Sequence, residues 1–149
     1  MFFVANVLGQ TFPEMVVPLW GEHNARNVLA ALALVLDADL SHQDLAEGFA
    51  SFAGVRRRLD LIGVPAGIYV VDDFAHHPTA IQFTLEAVRE AYPGQRLWAI
   101  FEPRSATCRR KVFEDRLPQS FAPAERVIIA GLFAPDKIAL EDRLDPELV

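Results

Sequence analysis

Two carboxylates and two imidazoles lie within six residues of one another near the middle of the chain. Asp72 and Asp73 end an apolar run rich in Val, Ile and Tyr, and His76 and His77 follow just before Pro78. Carboxylates and imidazoles accept hydrogen bonds, exchange protons and bind metal ions, so these residues are the first candidates for a functional site.

A strand before this cluster and a helix after it would place the polar residues on a loop. The apolar run 68–72 is typical of a buried parallel strand, and Pro is favoured at the first position of a helix. Open α/β sheets bind ligands at the carboxyl ends of their strands, which is where this loop would lie.

Hydrophobic periodicity and turn residues predict the remaining elements. In the first half we expect a hairpin (residues 2–8 with 14–19) and then a helix that is apolar on nearly every side and therefore buried among other elements (21–36). A second helix that Ser41 caps and Gly54 closes (41–54) and another hairpin (59–64 with 68–72) should follow. In the second half we expect a helix (residues 78–92), a strand (97–101), a helix that continues to about Asp115 (105–115) and a strand (127–130). A polar tail that forms no element should follow.

The alternation of strands and helices from residue 68 onward implies βαβ crossovers and a parallel sheet. In such a sheet the polar strand ends at Asp73, Glu102 and Gly131 would share one edge. Residues 1–53 do not follow this alternation, so we interpret them as the end of a preceding domain. The sequence therefore predicts an α/β fold with a domain junction near residues 54–58.

The composition argues against two classes of protein. A net charge of −6 and a pI near 5.1 disfavour a nucleic-acid binder, which needs a sustained basic face. The apolar run 1–8 is too short for a membrane span and lacks the basic residues and cleavage site of a signal peptide. Cys108 is the only cysteine, which excludes a disulfide framework and fits a reducing cytoplasm.

Basic residues nevertheless concentrate in two places. They are Arg56, Arg57 and Arg58 in the first cluster, and Arg104, Arg109, Arg110 and Lys111 in the second. Local basic clusters in an acidic protein suggest a small anionic ligand, and a solvated charged face is an equally good interpretation.

Three motifs, in the right order, resemble the Mur ligase family. Residues 21–31 (Gly-Glu-His-Asn-Ala-Arg-Asn-Val-Leu-Ala-Ala) resemble the family's helix motif Gly-x-His-Asn-x-x-Asn-x-x-Ala-Ala. Residues 52–58 resemble its domain junction, and residues 72–79 (Asp-Asp-Phe-Ala-His-His-Pro-Thr) resemble the start of its C-terminal domain. The resemblance covers essentially the whole chain.

This resemblance implies part of a three-domain ligase that uses ATP and Mg²⁺ to activate a carboxylate as an acyl phosphate, which an amine then attacks. It implies the tail of the central ATP-binding domain in residues 1–54 and the first part of a Rossmann-like C-terminal domain, with a mostly parallel sheet, in residues 55–149. The chain contains no Gly-x-x-x-x-Gly-Lys-[Ser/Thr] loop and no magnesium ligands, so the N-terminal and central domains should supply them. We therefore assign no catalytic residue to this chain and expect it to be inactive in isolation.

The resemblance also implies a nucleotide site in the first half of the chain. Asn24 and Asn27, with His23 beside them, match the family's adenine pocket, although the residues alone favour Asn24 as a helix cap. Arg58 matches an arginine that reaches the nucleotide phosphates, and Arg57, one residue earlier, is the alternative. Asp73 matches the aspartate that binds the ribose hydroxyls, while Asp72 is better explained as structural or as a partner that orients Arg58.

The histidines receive different roles. By resemblance, His76 lies near the incoming amine substrate, and His77 caps or packs at the start of the following helix. A metal-dependent hydrolase built on the two histidines and the two aspartates is a rival interpretation, which we disfavour because the spacing and the lack of a nearby cysteine are poor for a metal site. Cys108 should be an inert, partly buried side chain.

Finer details favour one branch of the family. The Arg56-Arg57-Arg58-Leu59 run, residues 74–81 and the Phe-Glu-Pro-Arg-Ser sequence at 101–105 resemble the murein peptide ligases. That branch joins L-alanyl-γ-D-glutamyl-meso-diaminopimelate, a recycled tripeptide, to UDP-N-acetylmuramate. The alternatives are the branch that adds L-alanine to UDP-N-acetylmuramate and a non-catalytic module that binds peptide and nucleotide.

The loop at 104–108 carries this distinction. By resemblance it meets the incoming substrate through Arg104, Ser105 and Thr107. The L-alanine branch carries arginines at positions 105 and 108, which hold the amino acid's carboxylate. This chain has Ser105 and Cys108 there, which we interpret as neutral donors for a peptide, with Arg104 reaching a more distant carboxylate.

Overall fold

The chain divides into two units, Met1–Asp73 and Phe74–Val149, in a computed structural model that describes residues 1–149. The first unit begins with a ladder of four two-residue strands: β1 (Phe2–Phe3) pairs with β4 (Met15–Val16), and β2 (Asn6–Val7) pairs with β3 (Gln10–Thr11), both antiparallel. The predicted hairpin is confirmed, but its turn lies earlier in the chain than the expected residues 9–13. Leu8 and Gly9 form the turn with φ of 51° and 82°.

Helix α1 (Glu22–Leu34) follows the ladder. We expected this helix to be buried among other elements, but within residues 1–149 only Val28 and Leu32 are buried, while Leu29 is 41% exposed and Leu34 is 85% exposed. The reason is that the hydrophobic cluster of this unit, formed around Ala5, Phe12 and Met15 of the ladder, reaches the helix only at Leu32.

Helix α2 (His42–Ser51) begins with the capping box that the sequence predicts. The Asp44 backbone N–H donates to Ser41 Oγ at 3.1 Å, and the Ser41 backbone N–H donates to Asp44 Oδ2 at 2.8 Å. The Ser41 hydroxyl also donates to Asp44 Oδ2 at 2.6 Å. This bond first, and then the bond from the Ser41 backbone N–H, lowers the pKa of the Asp44 carboxyl. The spacing of Leu45, Phe49 and Phe52 predicts one apolar face. Leu45 and Phe49 pack against the cluster of the first unit, whereas Phe52 is 42% exposed.

The last part of the first unit is the predicted second hairpin. Strands β5 (Asp60–Gly63) and β6 (Val70–Asp72) are antiparallel and enclose a 3₁₀ turn at Pro65–Gly67. Because β6 hydrogen-bonds to β5 alone, it does not extend a parallel sheet. The predicted common edge of Asp73, Glu102 and Gly131 is therefore wrong as far as Asp73 is concerned.

The second unit contains the α/β arrangement. Helix α3 (Pro78–Ala91) precedes β7 (Trp98–Phe101), which pairs in parallel with β8 (Arg126–Ile129) after the short helix α4 (Leu117–Ser120). The core consists of Ile81, Leu85, Ala99, Phe101, Cys108, Leu117, Phe121 and Leu144. The spacing of Ile81, Leu85, Val88 and Tyr92 predicts a core-facing side of α3, and the first two of these residues lie in the core whereas the last two do not. The α/β fold class is confirmed.

Two local predictions for the second unit fail. Residues 105–115 form turns and one 3₁₀ turn (Lys111–Phe113) rather than a helix, because Arg110 is extended and forms an antiparallel bridge with Arg143. The tail after β8 was expected to form no element. It contains three 3₁₀ turns, and its Leu144 is buried in the core. No helix in the chain combines the length and apolar character that a membrane span requires.

Candidate functional site

The amides of Asn24 and Asn27 form a pair in the first turns of α1. Gly21 occupies the cap position, so the interpretation of Asn24 as a helix cap is wrong. Instead, Asn24 Nδ2 donates to the Trp20 carbonyl at 2.8 Å, and Asn27 Nδ2 donates to Asn24 Oδ1 at 3.3 Å. His23 is partly buried beside them.

This pair keeps both kinds of hydrogen-bonding group. After these two bonds, Asn27 Oδ1 remains as an acceptor, and each amide retains a second N–H. A purine edge presents a donor next to acceptors, so the pair fits the adenine of ATP.

Three carboxylates hold a bend at residues 57–59. Asp73 Oδ2 accepts from the Leu59 backbone N–H at 2.8 Å, and Asp60 Oδ2 accepts from that of Arg57 at 3.3 Å. Asp72 Oδ2 lies 3.3 Å from Arg57 Nε in an ion pair. Arg57 and Leu59 have φ of 60° and 51°, a left-handed conformation that side chains other than glycine adopt at a cost of roughly 1–2 kcal/mol each. We call this group the carboxylate clasp.

The clasp bears on the expected role of Asp72. This residue was expected to be structural or to orient Arg58, and its ion pair with Arg57 supports a structural role. Arg58 lies exposed on the bend, with its backbone N–H donating to the Val55 carbonyl at 3.1 Å. Of the two candidate arginines for a nucleotide, Arg57 thus forms an ion pair with Asp72.

The two histidines carry opposite tautomers in their neutral forms. His76 Nδ1 lies 3.0 Å from the Phe74 carbonyl oxygen. Because a carbonyl only accepts, Nδ1 carries the proton and Nε2 is left as an acceptor. His77 Nδ1 accepts from the Thr79 backbone N–H at 3.3 Å, so its proton is on Nε2.

The role predicted for His77 is confirmed. It is the N-cap residue of α3, and its ring packs edge-to-face on Phe113 with a centroid distance of 4.7 Å. His77 therefore has a structural function, while the exposed His76 ring is the one that presents a base.

The loop after β7 uses Ser105 internally. The Ser105 hydroxyl accepts from the Cys108 backbone N–H at 3.1 Å and donates to Cys108 Sγ at 2.8 Å. Cys108 is 0% exposed and belongs to the core, which is more burial than we expected. Cys108 is thus too buried to donate to a substrate, and the Ser105 hydroxyl is engaged in hydrogen bonds within the loop.

Arg104 and Thr107 are the exposed members of this loop. Arg104 Nη1 lies 3.4 Å from Glu102 Oε2, and its guanidinium carbon lies 4.5 Å from the centroid of the Phe133 ring. Thr107 accepts from the Arg110 backbone N–H at 3.0 Å through its carbonyl oxygen.

Arg109 has a role that the sequence analysis missed. Its Nε donates to the Ser105 carbonyl at 3.3 Å, and its Nη1 donates to the carbonyls of Phe133 at 2.9 Å and Ala134 at 3.3 Å. We call this group the guanidinium clasp. It connects the loops that follow β7 and β8. Arg109 therefore fits neither interpretation of its basic cluster, a site for an anionic ligand or a solvated charged face. No local sequence pattern predicts such a role, because the carbonyl acceptors at residues 133 and 134 are distant from Arg109 in the sequence.

The predicted site residues fall into two groups, one in each unit. His23, Asn24, Asn27, Arg58 and Asp73 lie in the first, and His76, Arg104, Ser105 and Thr107 lie in the second. No group of three His, Cys, Asp or Glu side chains is placed to hold a metal ion.

A sequence profile described as the glutamate ligase domain of Mur ligases matches residues 57–144. The chain belongs to the Mur ligase family. The match includes the carboxylate clasp, the two histidines and the guanidinium clasp, and it ends at the buried Leu144.

Curated relatives point to one branch of this family. The UDP-N-acetylmuramate–L-alanine ligase of Geobacter sp. (strain M21) is 36% identical over 139 residues, which are 93% of this chain and 30% of that protein. Further curated relatives at 34–38% identity carry the same name. These findings favour the L-alanine branch over the murein peptide ligases, so the narrower assignment from the sequence is not confirmed.

Two crystal structures represent both branches. A UDP-N-acetylmuramate–alanine ligase from Thermotoga maritima matches with a TM-score of 0.72 and 25% identity, covering 87% of this chain and 28% of that one. A murein peptide ligase from Psychrobacter arcticus matches with a TM-score of 0.57 and 38% identity, covering 78% and 24%. This chain thus spans about a third or less of the relatives it matches.

Proposed function

We propose that the full-length protein is an ATP-dependent ligase that joins an amine to the carboxylate of UDP-N-acetylmuramate, and that it acts in the cytoplasm. The observation that carries the proposal is the amide pair of Asn24 and Asn27, which keeps donors and an acceptor suited to a purine edge in a chain of this family. Bound ATP would supply the phosphoryl group that activates the carboxylate, with Mg²⁺ held by parts of the protein outside this chain.

Each unit contributes to a different substrate. In the first unit the amides and His23 would hold the adenine, Asp73 the ribose hydroxyls and Arg58 the phosphates. Asp73 is held at the bend, because its Oδ2 accepts from the Leu59 backbone N–H. In the second unit His76 would accept a hydrogen bond from the incoming amine through Nε2, since Nδ1 is committed to the Phe74 carbonyl.

L-alanine is the first candidate for the amine, because the curated relatives carry that activity in their names. The tripeptide L-alanyl-γ-D-glutamyl-meso-diaminopimelate is the second candidate, and the loop after β7 favours it. That loop has serine and a buried cysteine where the L-alanine branch is expected to carry arginines, and its exposed cation is Arg104. Arg104 would then bind a peptide carboxylate away from the reacting amine.

The test measures kcat/KM for both amines in the full-length protein, with ATP and UDP-N-acetylmuramate present. We expect phosphate release to require UDP-N-acetylmuramate and an amine. A higher kcat/KM for L-alanine would support the first candidate, and a higher value for the tripeptide would support the second. Absence of turnover with both amines would contradict the ligase proposal itself.

A further inference from the structure

The Arg104 side chain is held at the carboxyl edge of the parallel pair by two neighbours. Glu102 lies beside it at 3.4 Å, and the Phe133 ring lies under its guanidinium carbon at 4.5 Å. A cation within about 6 Å of an aromatic centroid is attracted by the ring. The ring contact uses none of the guanidinium N–H groups, so Arg104 keeps most of its donors while it loses freedom of movement.

Phe133 is itself fixed from the other side. Its carbonyl accepts from Arg109 at 2.9 Å, and its backbone N–H donates to the Pro103 carbonyl at 3.4 Å. The next residue, Ala134, has a left-handed φ of 45°, which defines a sharp turn after the ring. The ring is therefore presented to Arg104 by backbone contacts between the two strand-end loops.

Both side chains remain open to solvent. The Arg104 side chain is 60% exposed, and Phe133 is 46% exposed although it is a large aromatic residue. An exposed phenyl ring contributes little to a core, so packing alone does not explain its position against a cation.

We propose that Phe133 is a positioning residue: its ring holds the Arg104 guanidinium in the orientation that receives a carboxylate of the amine substrate. This inference rests on the proposed ligase function. It names a residue outside the sequence motifs that determines how well the amine substrate binds. A fixed guanidinium binds a carboxylate better than a mobile one because less side-chain entropy is lost on binding.

The test replaces Phe133 with leucine, which keeps an apolar side chain but removes the aromatic face. In the full-length protein we expect Phe133→Leu to raise the KM for the preferred amine about two- to fivefold, with kcat and the KM for ATP little changed. Phe133→Tyr should restore the KM, because it keeps the ring. Leu140→Ala, at a 75% exposed position of the same unit, is the matched control and should change none of these values.

A double-mutant cycle separates positioning from a general structural effect. Arg104→Ala should raise the same KM, and adding Phe133→Leu to it should cause no further increase, because the ring acts through the guanidinium. An unchanged KM in Phe133→Leu, or an equal further increase in the double variant, would overturn the inference. If the unsubstituted protein turns over no amine, the ligase proposal fails instead.

A spectroscopic measurement covers the case in which Phe133→Leu unfolds. In the full-length protein with isotope-labelled arginine, the Arg104 side-chain protons should show a ring-current shift. Phe133→Tyr should preserve that shift, and its absence from the unsubstituted protein would overturn the inference.

Discussion

The carboxylate clasp at residues 57–59 and the guanidinium clasp at residues 133–134 solve the same problem with opposite charges. Both hold non-glycine residues in a left-handed conformation: Arg57 and Leu59 in the first, and Ala134 in the second. The first uses carboxylates that accept from backbone N–H groups. The second uses one guanidinium that donates to backbone carbonyls.

The two clasps differ in how firmly they hold their segments of backbone. In the carboxylate clasp each backbone N–H depends on a separate aspartate, and an aspartate can exchange that partner for another donor such as a hydroxyl. In the guanidinium clasp a single partly buried side chain donates to three carbonyls, so the loss of one contact leaves the other two in place. We infer that the bend at 57–59 rearranges more easily than the loops after β7 and β8.

The largest effect should come from breaking the guanidinium clasp. Arg109→Met keeps the apolar stem but removes every donor, so we expect the free energy of unfolding of the second unit to fall by about 2–3 kcal/mol, the range for hydrogen bonds to a charged group. Hydrogen exchange of residues 97–134 against urea in the full-length protein measures this. Arg109→Lys should recover part of the loss, because an ammonium keeps the charge without the planar fork.

Arg116→Met is the control for the loss of a positive charge, since Arg116 is exposed in the same unit. If Arg109→Met and Arg116→Met destabilise the unit equally, the clasp contributes nothing beyond charge.

Breaking the carboxylate clasp at Asp73 should affect catalysis more than folding. We expect Asp73→Ala to lower kcat/KM for ATP in the full-length protein. The corresponding loss of transition-state stabilisation should be on the order of 1–3 kcal/mol, as for a lost charged hydrogen-bond partner. Asp73→Asn keeps an acceptor for the Leu59 N–H but loses the charge. Steady-state kinetics of both variants then distinguish a contact with the nucleotide from support of the bend.

Asp60→Ala is the matched control, because Asp60 accepts from the Arg57 N–H of the same bend and has no proposed contact with ATP. It should leave kcat/KM for ATP near the unsubstituted value. Full activity in Asp73→Ala would restrict Asp73 to the clasp and remove it from the nucleotide site.

The sequence predicted those features that depend on neighbouring residues. The capping box of α2 links Ser41 to a residue only three positions on, and the start of α3 follows from a proline after His77. The chemistry of the amide pair was also accessible, since residues three apart share a helix face. These contacts exist wherever the local backbone is helical, so the rest of the fold adds little.

Several features that depend on distant residues were not predicted. Arg109 was counted as part of a basic cluster because its carbonyl partners follow the next strand along the chain. The expected helix at 105–115 failed for the same reason, since the Arg110 backbone bridges to Arg143. The exposure of α1 could not be inferred from its composition. An apolar composition shows that a helix can be buried, but it does not show which parts of a protein cover it.

The smallest expected effect concerns a third site, where both kinds of clasp occur together. Glu125 accepts from the Leu97 backbone N–H at 2.9 Å and forms an ion pair with Arg89, whose guanidinium also donates to the Pro123 and Gln95 carbonyls. Chiefly the hydrogen bond from Arg89 holds the pKa of Glu125 below its ordinary value of 4.5. A lowered pKa in the folded state means that the carboxylate stabilises the fold above pH 4.5 and loses this contribution as the pH falls through the folded value.

Glu125→Gln should therefore make the decline of thermal stability below pH 4.5 shallower, whereas Glu141→Gln, in an exposed turn of the same unit, should alter it less. We expect a small change because the side chain is open to solvent. Identical acid profiles for Glu125→Gln and the unsubstituted protein would show that Arg89 holds the loop at 95–97 through its carbonyl contacts alone.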